Sequence, residues 1–281
     1  MPDPDRLLRT LRRAITACRD TPGRAGHLIY LTHSTEMLVA GDLHGHLGNV
    51  KKILDLADLS NHPTRHLVVQ ELVHGQHYYP DGGERSHQAL DVFAALKCQF
   101  PDRVHMLLGN HELAQWTDRR ISKNELDFNS LFRKGVDTAY GLRGDEVYAT
   151  YCELFAILPV AIRTPNRVFL SHSLPTAGKM ALFQLDRLEA ETFTPEDLQP
   201  NGSVHSITWG RDVSLVNAQD FLRRVNADWL ITGHVSCANG FDIPNAKQLI
   251  LDCLGTPAGV CLFPTNRTVY HADLVNGVRL L

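Results

Sequence analysis

Apolar positions recur along this chain with two different spacings. Leu7, Leu8, Leu11 and Ile15 fall on one helical stripe, which predicts an amphipathic helix over about residues 5–20, ending before Thr21-Pro22-Gly23. Short apolar runs follow at Met37 to Ala40, Leu67 to Val69, Val104 to Leu108, Val168 to Leu170 and Trp229 to Thr232, and read as buried strands. Longer periodic stretches at Leu47 to Leu59, Ser86 to Gln99, Asp145 to Ile157 and Ser214 to Asn226 read as helices. Strands separated by helices predict an α/β fold. Past Gly240 the turn signals Pro244-Asn245, Pro257, Pro264 and Asn276-Gly277 crowd together, so this part is expected to form antiparallel closing strands. Gln76 to Arg85 is turn-rich and reads as a loop.

Composition narrows the class without naming a function. With 281 residues, 43% hydrophobic and 21% charged, the chain suits one large globular α/β domain spanning residues 1–281, and repeats, low-complexity tracts and a domain linker are all missing from the pattern. The net charge of −3 gives no general reason to expect nucleic-acid binding. No run approaches the roughly 20 apolar residues of a membrane span, and the Arg-rich start lacks a signal-peptide core. The six cysteines stand far apart with no C-x-x-C pair. A reduced cytoplasmic setting, without a membrane partner, is the expectation.

The chemistry lies at the strand ends, where α/β sheets place their ligands. Gly41-Asp42-Leu43-His44-Gly45-His46 follows the first run; Asp42 and His44 are two residues apart and can point the same way. A carboxylate with a neutral imidazole suits a borderline divalent ion. Gly109-Asn110-His111-Glu112 follows the third run, and polar groups so close to a buried strand need hydrogen bonds or a ligand. The plain alternative is a helix capped by Asn110, with His111 and Glu112 exposed. His172 and His234 end two later runs. Each histidine alone reads most simply as a hydrogen-bonded core residue; four clusters on successive strands point to metal binding.

The order Gly41-Asp42-Leu43-His44-Gly45, Gly109-Asn110-His111-Glu112, His172, His234 resembles the calcineurin-like metallophosphoesterases, and more closely their phosphoprotein (serine/threonine) phosphatase branch. The resemblance covers roughly Met37 to Pro264. It implies a four-layer α/β/β/α sandwich and two divalent ions, manganese, iron or zinc. Asp42, His44 and Glu71 would hold one; Glu71, Asn110, His172 and His234 would hold the other. It further implies hydrolysis of phosphate monoesters by attack of a hydroxide held between the metals, with His111 protonating the leaving group. The partner would be a phosphoprotein or a small phosphoester.

The chain departs from that family at its second motif, Gly-Asp-x-x-Asp-Arg-Gly. Here Val69-Gln70-Glu71-Leu72-Val73-His74-Gly75 offers Glu71 for the bridging aspartate, His74 for the second aspartate and Gly75 for the phosphate-binding arginine. Support of His111 then falls to Glu112 or another acid, or its pKa is lower and good leaving groups are preferred. Arg85 or Arg211 could replace the lost arginine, since a guanidinium fork suits phosphate. His46 and His77 read as exposed loop residues that could also line the site. Two other functions fit the same residues: hydrolysis of dinucleotide polyphosphates or phosphodiesters, and catalytically weak binding of a phosphorylated ligand.

Overall fold

A computed structural model describes residues 3–123 and 126–281. Helix α1 (Pro4–Arg19) is capped by Asp3, whose carboxylate accepts from the amides of Asp5 and Arg6. It leads into β1 (Arg24–Ala25), β2 (Leu28–Tyr30) and β3 (Glu36–Asp42). Then come α2 (Leu47–Ala57), β4 (Arg65–Gln70), α3 (His87–Gln99), β5 (Val104–Leu107) and α4 (Asn110–Trp116). A short hairpin of β6 (Ser122–Lys123) and β7 (Leu126–Asp127) precedes α5 (Phe128–Tyr140) and α6 (Gly144–Ile157). Strands β8 (Ala161–Arg163) and β9 (Val168–Ser171) are followed by α7 (Ser203–Trp209), α8 (Leu215–Arg224) and β10 (Trp229–Thr232). The chain closes with β11 (Phe241–Asn245), β12 (Gln248–Leu251), β13 (Gly259–Pro264), α9 (His271–Asn276) and β14 (Val278–Leu280).

Two sheets form the centre, with strand orders β1-β2-β8-β9-β10-β12-β11 and β14-β13-β3-β4-β5. Side-chain alternation explains why they stack. Met37, Val39, Val68 and Leu107 share a core with Ile162, Leu170, Ile231 and Leu249 of the facing sheet. Their neighbours Leu38, Ala40, Leu67 and Val69 instead pack into the helix-side core with Ile53, Leu90 and Phe93. Strands covered on both faces carry unbroken apolar runs, which is why these were visible in the sequence. Helix α1 packs on α3 and α6, and α8 covers β10 on the other side. The result is the expected α/β/β/α layering.

Some elements differ from the sequence reading. After Gly240, β11, β13 and β14 are antiparallel to their neighbours, but β12 runs parallel to β10. The chain passes to the sheet edge, descends β11 and returns as β12 between β11 and β10, a path that turn signals do not reveal. Helices α5, α7 and α9 lie outside the helices read from the sequence, and α4 was there only as the plain alternative at Asn110. Two of them, α4 and α7, have only 7 residues, and α5 carries Gly135 in its middle, a residue that argues against a helix by propensity.

The sheets touch backbone to backbone where the polar clusters lie. Asp42 bridges to Asp252 at the end of β12, and the Cys253 amide donates to the Asp42 carbonyl (3.0 Å). Gly41 permits this approach, because a Cβ there would stand 2.0 Å from the Leu251 carbonyl oxygen. The obstacles are backbone atoms of Leu251 and Asp252, so the strain could be relieved only by parting the sheets. Gly41→Ala should lower unfolding free energy by about 1–3 kcal/mol, read by urea denaturation; unchanged stability would show that the sheets separate there at no cost.

Candidate metal centre

The ends of β3, β4, β5, β9 and β10 and the turns after them bring Asp42, His44, Glu71, Asn110, His111, His172 and His234 together, all but His172 lining one cleft. Four site residues hold a left-handed backbone conformation: His44 (φ 42°), Glu71 (φ 48°), His74 (φ 63°) and His234 (φ 66°). Such conformations cost non-glycine residues about 1–3 kcal/mol each and persist where the surroundings enforce them, commonly at functional sites. The turns aim the side chains inward.

Two donor groups result. One ligand atom from each of Asp42, His44 and Glu71 lies within 4.8 Å of the others, and the same holds for Glu71, His172 and His234. Asp42 and Glu71 therefore lie well inside the roughly 8 Å beyond which a shared two-cation centre would be excluded. Glu71 belongs to both groups. Asn110 Oδ1 completes the second, standing 2.9 Å from His172 Nε2 and 2.7 Å from His234 Nδ1. Orientation of the rings comes from behind. His44 Nδ1–H donates to the Val73 carbonyl (2.9 Å), and His172 Nδ1–H donates to Gln70 Oε1 (3.0 Å). Both bonds leave Nε2 facing Glu71, as outer partners of metal-binding histidines do.

The electrostatics also suit cations. Asp42 and Glu71 are buried, and their ion-pair partners among the described residues are histidines, without lysine or arginine. Burial pushes the Asp42 carboxyl well above its ordinary range, and the Glu71 charge adds to the effect. Burial would also raise Glu71, but His172, His111 and His44 hold it well below the usual carboxylate range. His172 is opposed by burial yet pushed up to about 9 by Glu71 and Asp42. Burial lowers His234 to about 2, and its Nε2 and Asp42 Oδ1 are buried without hydrogen bonds. Imidazole, carboxylate and carboxamide donors around orphaned polar atoms fit a borderline divalent ion.

His111 points to the same place without belonging to either group. Its Nε2 lies 3.6 Å from Glu71 Oε1, and its amide donates to that oxygen (3.2 Å). Burial lowers its pKa to about 3, with Glu71 opposing. Asn110 is the first residue of α4 and not its cap, which is Gly109, and Glu112 is buried where the plain sequence reading expects exposure. Glu112 Oε1 accepts from the amides of Leu72 and Val73 (2.8 and 3.1 Å), so it braces the Glu71 loop.

The cleft, of about 410 Å³, is lined further by Tyr78, Phe128, Trp209 and Arg211. Arg211 Nη1 donates to the His234 carbonyl (3.0 Å). Arg85 is outside this lining, its guanidinium 5.3 Å above the Tyr79 ring. His46 caps α2 with Nδ1 accepting from the Asn49 amide (3.1 Å), and packs on His77; both also lie outside the lining. Sequence reasoning missed Gln70 as a ring-orienting residue, although its place beside Glu71 at the end of β4 was a usable signal.

The sequence profile described as calcineurin-like phosphoesterase matches residues 36–237. The chain belongs to this family. A probable serine/threonine-protein phosphatase of Encephalitozoon cuniculi is 24% identical over 243 residues, covering 80% of this chain and 48% of that protein. Human serine/threonine-protein phosphatase 5 is 22% identical over 244 residues, covering 78% of this chain and 43% of its own. The chain thus spans a little under half the length of these relatives, which lie in the phosphoprotein phosphatase branch. Among solved structures, a Saccharomyces cerevisiae protein serine/threonine phosphatase with similarity to human phosphatase PP5 superposes with a TM-score of 0.70 at 17% identity, covering 100% of this chain and 89% of that one. A cold-active protein-tyrosine phosphatase of a psychrophilic Shewanella species gives 0.63 at 15% identity, covering 91% and 82%. Both show the shared fold. Calcineurin-like phosphoesterases are metal-dependent hydrolases of phosphoester bonds, and the donor groups described above match that dependence.

A neutral amide at position 71 would remove the one charge that both donor groups share. Glu71→Gln should therefore deplete metal at both positions, whereas Asp42→Asn should deplete mainly one. Elemental analysis of desalted protein checks this; a Glu71→Gln protein that keeps two tightly bound ions would deny Glu71 the shared role.

Proposed function

We propose that this chain is a metal-dependent phosphomonoesterase of the serine/threonine protein phosphatase type. The observation that carries the reading is Glu71, one buried carboxylate common to two adjacent donor groups. Asp42, His44 and Glu71 would hold one divalent ion, and Glu71, Asn110, His172 and His234 the second, with manganese, iron or zinc suited to these donors. Bound there, the two cations supply Lewis-acid charge for a phosphate and acidify water.

The remaining work falls to the protein's own groups. Arg211 binds phosphate: it lines the cleft, whereas Arg85 does not. His111, with Nε2 directed at Glu71 beside the metal-binding groups, gives its proton to the leaving oxygen. Its lowered pKa makes it a sparse acid at neutral pH, so leaving groups that need little protonation are favoured. Tyr78, Phe128 and Trp209 favour the same substrates by offering apolar faces to an aromatic group. A phosphotyrosine or other aryl phosphate is therefore a second reading of the substrate, beside phosphoserine and phosphothreonine. The whole of residues 1–281 would act as one metallophosphoesterase domain. Six free cysteines support a reducing, cytoplasmic setting.

The manganese-loaded protein should hydrolyse a chromogenic aryl phosphate faster than an alkyl phosphate. His111→Asn should keep its metals and fold, lose about 10²–10⁴-fold on the alkyl substrate, and lose much less on the aryl one. Equal losses, with chemistry rate-limiting, would make His111 a phosphate-binding group; no hydrolysis of either substrate by the loaded wild type would overturn the phosphomonoesterase reading and leave the dinucleotide polyphosphate or phosphodiester hydrolase and the phospholigand-binding protein.

A further inference from the structure

Behind His111 lies an acid that no motif singles out. Glu84 is 0% exposed. It sits in the loop before α3, where its Oε1 accepts from the His74 amide (3.0 Å) and from the Ser86 hydroxyl. Its Oε2 has no hydrogen bond and stands 3.5 Å from His74 Nδ1. The loop is held there by α5: the Glu84 amide donates to the Leu131 carbonyl (3.0 Å), and a Cβ on Gly135 would stand 1.8 Å from the Glu84 carbonyl oxygen. A carboxylate this deep needs hydrogen-bond donors, and neutral His74 can direct one, Nδ1–H, at Oε2.

His74 in turn faces His111. The ring centroids lie 5.0 Å apart, and Phe128 and Phe132 pack on His74 at 5.6 and 6.2 Å, enclosing it in apolar surface. Besides His74 Nδ1, which faces Glu84, two nitrogens on these adjacent rings are buried without hydrogen bonds, His74 Nε2 and His111 Nδ1. They are complementary. If Nδ1–H of His74 is directed at Glu84, its Nε2 carries a lone pair, and a lone pair is what His111 Nδ1–H requires when Nε2 holds a proton for transfer. Glu112 makes no ion pair with His111 among the described residues: its Oε1 accepts from the Leu72 and Val73 amides, and its Oε2 lies against Gly109.

We propose that Glu84 is a positioning residue that fixes the tautomer and orientation of His74, and that His74 presents Nε2 to His111 Nδ1–H. Support would pass from carboxylate to imidazole to imidazole, with His111 Nε2 directed at Glu71. The inference rests on the proton-donor reading of His111. It makes the support of His111 a property of a buried loop glutamate, acting through the histidine at position 74.

The test uses Glu84→Gln in the metal-loaded full chain, with a 4-nitrophenyl phosphate and a phosphoserine peptide. Loss of an outer partner that orients a working imidazole typically costs about 10–100-fold. The loss should fall on kcat for the phosphoserine peptide and largely spare the nitrophenyl substrate. His74→Asp/Glu84→Gln, which puts a carboxylate directly beside His111, should restore most of the ratio between the two. In the metal-free proteins, ring ¹⁵N resonances should show His74 protonated on Nδ1 in the wild type and a shift of the His111 signals in Glu84→Gln. Should Glu84→Gln melt early, His74→Gln must give the same selective loss. An unchanged ratio in active protein, or unmoved His111 resonances, would overturn the positioning role while leaving the phosphatase reading intact. Inactivity of the wild type on both substrates would overturn the two together.

Discussion

Two buried carboxylates without a lysine or arginine between them set the terms for the rest of this molecule. Asp42 and Glu71 stand side by side at the ends of neighbouring strands of one sheet, and their ion-pair partners among the described residues are imidazoles. In a low-dielectric interior such a cluster is costly unless cations enter it. Cation binding then stabilises the folded chain by mass action, so the strain of four left-handed turns is tolerable.

The fold supplies the geometry that the charges require. Parallel strands β3, β4 and β5 of one sheet and β9 and β10 of the other end at the same edge. The near contact at Gly41 and Asp252 lets loops from both sheets reach a common point. Gly233 makes a similar allowance, since a Cβ there would stand 2.1 Å from Asp42 Oδ1. The donor groups are thus held by sheet packing from below, while Glu112, Gln70 and the Val73 carbonyl orient individual side chains from behind.

Much of this was legible in the sequence because both-face burial leaves continuous apolar runs, and polar residues immediately after them stand out. Asp42, His44, Asn110, His172 and His234 were all found that way. Glu71 came from the family resemblance, as the residue that stands after Leu67 to Val69 where the family has its bridging aspartate. Glu84 was not legible: its burial depends on α5 closing over the loop, and α5 was hidden by the same Gly135 that lets it close. The distinction between Arg85 and Arg211 was likewise out of reach, since it depends on which guanidinium faces the cleft and which stacks on Tyr79. The route of β12 lay beyond local signals as well, because strand order is set by the partners a strand meets across the sheet.

The central claim is that one carboxylate organises two cations. Its most direct test is a crystal structure of the manganese-loaded protein with anomalous scattering recorded at the manganese edge. The account predicts two anomalous peaks roughly 3.5–4 Å apart, with one Glu71 oxygen or carboxylate bound to both. A single peak, or two peaks of which Glu71 touches only one, would contradict it.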